Sequence, residues 1–188
     1  MFIQTEATPN PATLKFLPGK VVMDDGTADF RDEDSASEAS PLAAKLFSIP
    51  GVNGVFFGYD FVTITKDEGP EWQHLKPAVL GTIMEHFMSG DPVMAKTHAP
   101  QADGDGEFFD ADDTTIVTTI KELLETRVRP AVAQDGGDIT FKGYKEGTVF
   151  LNMKGACAGC PSSTATLKHG IQNLLRHFIP EVKEVEAV

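Results

Sequence analysis

The sequence predicts an α+β protein made of two small domains joined by an acidic linker. Short runs of alternating apolar residues, typical of strands, are interspersed with longer runs whose apolar residues recur every four positions, typical of helices. The 188 residues suit one large or two small domains. We predict a first domain at residues 1–92, a flexible linker at 93–112 and a second domain at 113–188.

Four strands are predicted in the first domain. Phe2 to Glu6 and Leu14 to Leu17 are separated by Thr8 to Pro11, whose two prolines cannot lie inside a central strand. Val52 to Phe57 and Phe61 to Thr65 alternate apolar and polar residues around a short turn, which predicts a hairpin.

The helices of the first domain are predicted at Pro41 to Phe47 and within Glu71 to Ser89. Because Pro77 lacks a backbone donor, we expect it to begin the main part of the second helix after a separate short turn around Trp72. Met23 to Ser40 carries seven acidic residues and one arginine. We predict a solvated loop there with at most a turn of helix, and no metal site, because the carboxylates lack the spacing of an ordered cage.

The linker prediction rests on composition. Residues 95–112 hold five acidic residues, two glycines and a single lysine, and like charges extend a chain. Phe108 and Phe109 are the exception, and we expect them to dock on a neighbouring element. The run from Asp103 to Glu107 does not continue into a calcium-loop pattern, so no calcium site is predicted.

Two helices are predicted in the second domain. The first begins near Asp112 or Asp113, both good helix caps, and ends at Pro130. The second runs from Pro161 to Phe178, since proline suits the first helical position. Their apolar faces are predicted to comprise Ile116, Ile120, Leu123, Leu124 and Val128 in the first helix, and Leu167, Ile171, Leu174, Leu175 and Phe178 in the second.

Three strands complete an α-β-β-α-β order, one helical layer on a small sheet. Ile139 to Tyr144 and Thr148 to Met153 form a hairpin, and Val182 to Val188 is the last strand. Gln134 to Asp138 contains two glycines and forms a turn between helix and strand. Its acidic residues either cap that turn or support the cysteine loop that follows the hairpin.

Composition and charge exclude several classes of function. A net charge of −12 argues against binding to a nucleic-acid backbone, which relies on cationic contacts. No apolar run approaches the length of a membrane span, and the N-terminus has neither the basic start nor the apolar core of a signal peptide. With two cysteines, we expect a protein of a reducing cytosol or a mature form whose leader has been removed.

Cys157 and Cys160 are the only cysteines, and they lie between a predicted strand and a predicted helix. At this spacing two thiols can converge on one metal ion or cluster, or close a small disulfide ring. Gly155 and Gly159 leave the loop free to bend. A helix beginning at Pro161 would place Cys160 at its cap, where the helix dipole favours a thiolate.

Four chemistries are open to this pair. A thiol–disulfide centre also has this arrangement, although Gly159 stands where proline is usual in such motifs. Structural zinc needs four ligands, and the chain adds to its two thiols only scattered histidines, of which His169 and His177 lie about 80° apart around their helix. Iron–sulfur clusters take thiolates, usually four. A catalytic cysteine would need a base and an orienting acid, which the sequence does not place beside it.

Two sequence blocks resemble those of a known family. The first block resembles the C-terminal domain of NifU-like (Nfu-type) iron–sulfur scaffold proteins. It consists of VRPAVAQDGGD at 128–138 followed by GACAGCPSST at 155–164. The N-terminal domain that accompanies it in bacterial and mitochondrial members is similar to FIQTEATPNP at 2–11 followed by LKF at 14–16. The resemblance covers nearly the whole chain outside the linker and the acidic loop.

The resemblance implies a cluster carrier rather than an enzyme that turns over a small substrate. The family binds a cluster, usually [4Fe–4S], and passes it to apo-proteins; a [2Fe–2S] cluster is the alternative. Cys157 and Cys160 match the family's metal-binding cysteines. The implied partners are upstream cluster-assembly proteins and recipient apo-proteins. The implied localisation is a bacterial cytoplasm or, for a mature form, the mitochondrial matrix. A four-thiolate cluster also predicts a homodimer when loaded, since each chain offers two cysteines. A thiol–disulfide oxidoreductase is the alternative function.

Overall fold

The computed structural model describes residues 1–96, 106–158 and 161–188, and for residues 161–163 it describes the backbone alone. The chain divides into two compact units, Met1–Pro100 and Gln101–Val188. Each unit combines helices with a separate sheet, which confirms the predicted α+β fold class. None of the helices in the described parts of the chain combines the length and apolarity needed to cross a membrane.

The first unit is a five-stranded antiparallel sheet covered by three helices. The strand order is β1-β2-β5-β4-β3. Its core is built from apolar residues of the sheet and of all three helices. The elements are β1 (Gln4–Ala7), β2 (Thr13–Leu17), β3 (Ala28–Phe30), α1 (Glu33–Ala39), α2 (Pro41–Phe47), β4 (Val52–Phe57), β5 (Val62–Lys66) and α3 (Trp72–Ser89).

The acidic stretch at 23–40 is not the solvated loop that the sequence predicts, because it holds both β3 and α1. The Phe30 ring packs edge-on against Phe57, with centroids 5.8 Å apart, and Ala36 is buried in the core. Asp32 caps α1 by accepting a hydrogen bond from the Ser35 backbone N–H at 2.8 Å. The charges therefore indicated one exposed face correctly, but a few small apolar residues on the other face suffice to bury the element.

The predicted break at Pro77 is also wrong, because α3 runs without interruption from Trp72 to Ser89. Leu75 before the proline and Val79 after it are both buried, so apolar packing continues on both sides. The Trp72 indole N–H donates to the Pro11 carbonyl at 3.1 Å and anchors the helix start. These contacts outweigh the single backbone hydrogen bond that proline removes.

The second unit has the predicted α-β-β-α-β order around a three-stranded sheet. The strand order is β6-β7-β8; β6 and β7 are antiparallel, and β7 and β8 are parallel. The elements are α4 (Thr114–Leu123), a π-helical turn (Leu124–Val128), α5 (Arg129–Gln134), β6 (Gly137–Lys145), β7 (Thr148–Gly155), α6 (Pro161–Phe178) and β8 (Glu184–Ala187).

The first helical segment of this unit does not end at Pro130 as predicted, but continues as α5 to Gln134. A proline inside a helix lacks its N–H and crowds the carbonyl four residues earlier. The wider π-helical turn at Leu124–Val128 lies directly before it, and such a turn offers a way to accommodate the ring. Val132 then remains on the buried face.

Phe178 is 46% exposed, so its predicted inward position is wrong, whereas Ile171 and Leu175 of the same helix are buried as predicted. The guanidinium carbon of Arg127 lies 5.2 Å from the centre of the Phe178 ring. A cation over the face of an aromatic ring stabilises the ring at the surface. Apolar spacing alone cannot distinguish such a ring from a core residue.

Both flanks of the predicted linker are held by the units they adjoin. Ala95 N–H donates to the Ala39 carbonyl at 2.8 Å on the first unit. Phe108 forms a parallel bridge with Gly143 at the free edge of β6, and its ring packs against Phe150 with centroids 5.2 Å apart. The predicted docking of Phe108 and Phe109 is confirmed, since Phe109 contacts the Phe141 ring. Residues 97–105 lie outside the described residues, and the domain boundaries stay a prediction.

We expect a fragment of residues 106–188 to be more stable than one of residues 112–188. The longer fragment keeps two half-buried phenylalanines, which stabilise it by about 2 kcal/mol at the usual value for buried apolar area. Urea unfolding of both fragments measures the difference. The longer fragment carrying Phe108→Ala and Phe109→Ala is the matched control and should behave as the shorter one. Equal stability of the two unsubstituted fragments would contradict a docked segment.

Candidate functional site

Cys157 lies in the turn between β7 and α6, and its side chain is only 5% exposed. Gly155 ends β7 with φ of +63°, a backbone conformation that favours glycine, and its carbonyl accepts a hydrogen bond from Ala158 N–H at 3.1 Å. The Thr164 hydroxyl, in the first turns of α6, donates to the Cys157 carbonyl at 3.2 Å. The strand and the helix therefore both hold this cysteine in place.

The glycine turn at 135–138 lies directly against Cys157, as one of its two sequence interpretations predicts. Gly137 pairs with Gly155 across the hairpin, and Ala156 N–H donates to the Gly136 carbonyl at 3.2 Å. A Cβ atom on Gly137 would lie 2.5 Å from the Cys157 sulfur and 2.8 Å from the Lys154 carbonyl oxygen. Glycine is required at 137 because the thiol occupies the space that a side chain would need.

The thiol of Cys157 is neutral at physiological pH. Burial, followed by the negative charges of Asp135 and Asp138, raises its pKa to about 12. A metal ion that bound to Cys157 would have to displace this proton, because the thiolate is the form that binds metals. A cation arriving at the site offsets both effects that hold the proton.

We expect Cys157 to react slowly with iodoacetamide at pH 7.5. The thiolate is the nucleophile, and a raised pKa means that the rate climbs with pH toward about 12 instead of levelling off near the ordinary cysteine pKa. A Cys160→Ser chain leaves Cys157 as the single thiol, so mass spectrometry of the intact protein gives its rate. The same chain in urea is the control and should react as an ordinary cysteine. Equal rates in the folded and unfolded chain would contradict the burial.

Arg129 is a functional candidate that the sequence analysis did not identify. Its guanidinium makes two hydrogen bonds to the Asp138 carboxylate, Nε to Oδ1 at 2.9 Å and Nη2 to Oδ2 at 2.8 Å. Burial alone would lower the pKa of Arg129, but the hydrogen bonds and charge of Asp138 outweigh burial and raise that pKa. Arg129 and Asp138 both lie in the block at 128–138 that resembles the family, but that block does not indicate that their side chains pair.

The remaining candidate ligands are not brought together in the described structure. Cys160 lies outside the described residues. His177 packs edge-on against the Phe178 ring, with centroids 5.0 Å apart, near the end of α6. Within residues 1–96, 106–158 and 161–188, no group of three or more histidine, cysteine and acidic residues could hold a metal ion.

Both units match known protein families. Residues 3–90 match the family described as the N-terminal domain of the Nfu/NifU scaffold proteins, and residues 120–186 match the NifU-like domain. These two regions contain, respectively, the five-stranded sheet with its helices and the three-stranded sheet with Cys157.

Curated relatives are similar along the whole chain. The chain is 54% identical over 189 residues to proteins named NFU1 iron–sulfur cluster scaffold homolog, mitochondrial, from Drosophila erecta and Drosophila yakuba. All of this chain is covered, and it spans 65% of the length of those relatives. Their names fit the mitochondrial alternative for localisation and lend no support to the bacterial cytoplasmic one.

A solved structure is also similar to this chain. It is the solution structure of a NifU-like protein from Saccharomyces cerevisiae, at 30% identity and a TM-score of 0.46. The match covers 51% of this chain and 86% of the yeast chain.

Proposed function

Because this chain belongs to the Nfu/NifU family of iron–sulfur cluster scaffold proteins, we propose that it binds a [4Fe–4S] cluster through Cys157 and Cys160 and passes it to apo-proteins. The observation that carries the proposal is the close packing of Cys157 against Gly137. It shows that the glycine turn of one family motif and the cysteine loop of the other meet around one buried thiol. A [2Fe–2S] cluster is the alternative cargo. The recipients are apo iron–sulfur proteins, and upstream cluster-assembly proteins supply the cluster.

The chemistry of the donors fits an iron–sulfur cluster. Thiolates are its usual ligands, and soft sulfur donors favour it over oxygen-binding metals such as magnesium or calcium. Cys157 lies in the loop that follows β7, and hydrogen bonds to the backbone of that loop fix its position before any metal arrives. The cluster is cargo, so the role of this chain is to hold it loosely enough for a recipient's thiolates to replace those of the carrier.

A cluster with four thiolate ligands needs two copies of this chain. Each chain has two cysteines, and a two-fold axis through the cluster is the simplest way to assemble four. Such a bridge has few protein contacts around the metal, which suits a carrier. We therefore propose a homodimer that forms with the cluster, while the metal-free chain is monomeric.

The stoichiometry provides the direct test of this function. After anaerobic reconstitution with iron and sulfide, we expect a brown protein with four irons and four sulfides per two chains. Sedimentation at matched concentration should give a monomer without the cluster and a dimer with it. A loaded monomer with four irons would contradict the shared site, and a chain that takes up no iron and sulfide would contradict the carrier function itself.

A thiol–disulfide oxidoreductase is disfavoured by the environment of Cys157. Such enzymes activate the attacking cysteine by lowering its pKa, whereas burial and two carboxylates raise that of Cys157. We expect no reduction of insulin by the metal-free protein with dithiothreitol beyond the rate of dithiothreitol alone. We propose a carrier function and not an enzymatic one. Both localisation alternatives, cytoplasm and mitochondrial matrix, keep thiols reduced, as this function requires.

A further inference from the structure

We propose that Arg129 is a positioning residue for the cysteine site: by holding the Asp138 carboxylate it fixes the Gly136–Gly137 turn against which Cys157 packs. The inference rests on the proposed function, because its consequence for the cluster assumes that Cys157 is a ligand. Its structural part, the order of the turn, can be measured on the protein without a cluster.

The ion pair of Arg129 and Asp138 is built for precise placement. Two nearly equal hydrogen bonds join the planar guanidinium to the carboxylate, which fixes their relative orientation as well as their distance. Asp138 is only 4% exposed, and its Oδ1 also accepts a hydrogen bond from the Ile139 backbone N–H at 2.9 Å. Removing the arginine would leave a buried carboxylate without this charge partner, which is strongly destabilising at that position.

A short path through the backbone leads from this ion pair to the thiol. Asp138 follows Gly137 directly in β6, and Gly137 is the residue whose Cβ would meet the Cys157 sulfur at 2.5 Å. The Gly136 carbonyl accepts a hydrogen bond from Ala156 N–H, the residue just before the cysteine. A shift of Asp138 therefore moves the two glycines that define the space around Cys157.

Arg129 directly follows a π-helical turn, an uncommon kind of helix. The π-helical turn Leu124–Val128 ends immediately before Arg129, and such turns often occur at functional sites. Glu125, in the same turn, accepts a hydrogen bond from Arg129 Nη1 at 2.8 Å. With carboxylates on two sides, the guanidinium has little freedom to leave Asp138.

The same ion pair also sets the charge around the bound cargo. A cluster with four thiolates is anionic, and Asp138 directly follows Gly137, the glycine that packs against the Cys157 sulfur. Arg129 offsets the charge of Asp138. Without it, repulsion between Asp138 and the cluster adds to the loosening of the turn, and both changes favour loss of the cluster.

The experiment uses the full chain with Arg129→Gln, which removes the charge and the paired hydrogen bonds. The matched control is Arg127→Gln, two residues away, whose guanidinium faces Phe178 instead. In the metal-free protein, we expect amide hydrogen exchange at Ala156 in the Arg129 variant to accelerate at least about tenfold more than exchange at Leu151 in β7, which reports the global loss of stability. In the loaded protein, we expect cluster loss to a chelator to become about 10- to 100-fold faster, the usual effect of removing a residue that supports a metal ligand.

A second substitution separates charge from simple destabilisation. Arg129→Gln with Asp138→Asn removes both charges but does not restore the ion pair, so we expect exchange at Ala156 to stay fast and only the part of the cluster lifetime that is lost through charge to be recovered. Wild-type exchange at Ala156 together with a full wild-type lifetime would overturn the positioning role. If Arg129→Gln does not fold, Arg129→Lys keeps the charge without the paired geometry and should show intermediate exchange at Ala156.

Wild-type exchange at Ala156 in whichever of the two single variants folds would overturn the proposal. So would an equal effect of Arg127→Gln on Ala156. A wild-type chain that takes up no cluster would overturn the carrier function instead, and the exchange at Ala156 would still decide the positioning role of Arg129.

Discussion

Cys157→Ser is expected to abolish cluster binding while the fold survives. A serine hydroxyl is a harder donor than a thiolate and remains protonated where a metal-bound thiol does not, so one of the proposed ligands is lost. The new hydroxyl sits where the side chain is only 5% exposed, which lowers the free energy of unfolding by about 1–2 kcal/mol. Iron and sulfide content after anaerobic reconstitution measures the binding, and circular dichroism with urea unfolding measures the fold.

Ala158→Ser is the matched control for this substitution. It adds a hydroxyl to the neighbouring loop residue and leaves both cysteines in place, so we expect normal reconstitution. Cys160→Ser should lose the cluster as Cys157→Ser does, since the proposal gives the two cysteines equal roles. Either cysteine variant reconstituting to the wild-type iron content would show that the assignment of ligands is wrong.

Gly137→Ala is expected to destroy the site through a single methyl group. The added Cβ would lie 2.5 Å from the Cys157 sulfur and 3.0 Å from the Cys157 backbone nitrogen, so the backbone of the cysteine loop has to move. Overpacking of this kind lowers the free energy of unfolding by about 1–3 kcal/mol. Because the displaced residue is the proposed ligand, we expect most of the iron uptake to be lost while the protein still unfolds cooperatively in urea. Reconstitution and urea unfolding of the same preparation compare the two effects.

Gly170→Ala provides the control within the same unit. A Cβ on Gly170, inside α6, meets nothing within 4 Å, and alanine is a better helix former than glycine. We expect that variant to gain about 0.5–1 kcal/mol of stability with unchanged iron uptake. An alanine at 137 that leaves both iron uptake and the unfolding midpoint at wild-type values would contradict the close contact between Gly137 and Cys157.

Elements with a strong local pattern could be predicted from the sequence. The alternation of Val149, Leu151 and Met153 gave β7 its correct buried face, and α2 was predicted with its correct bounds because Pro41 begins it. The acidic stretch containing α1 could not be predicted, since its burial depends on small residues such as Ala36 that meet a sheet formed by distant segments. The predicted burial of Phe178 was wrong for a similar reason, because the Arg127 side chain that covers its ring belongs to another element.

In the candidate site, too, some features could be predicted from local sequence and others depend on contacts between distant segments. The spacing of Cys157 and Cys160 and the two glycines at 136 and 137 are visible as motifs, and the resemblance of those motifs implied the family that the comparisons show. The burial of the thiol and its raised pKa depend on Gly137 lying opposite Gly155, which only the strand register reveals. The role of Arg129 depends on a pairing between helix and strand, for which the sequence alone has no signal.

The parallel pairing of β7 with β8 has a consequence for the order in which the site forms. The antiparallel hairpin of β6 and β7 closes over a two-residue turn, whereas β8 can pair with β7 only after the cysteine loop and the whole of α6 have been spanned. Closing a longer chain loop costs more conformational entropy, so contacts between distant segments tend to form late in folding. The hairpin thus presents Gly137 early, and the loop with Cys157 becomes fixed only as the last strand docks. We therefore expect the thiol to be accessible until the last strand docks and the proposed metal site to be complete only afterwards, so that folding precedes loading.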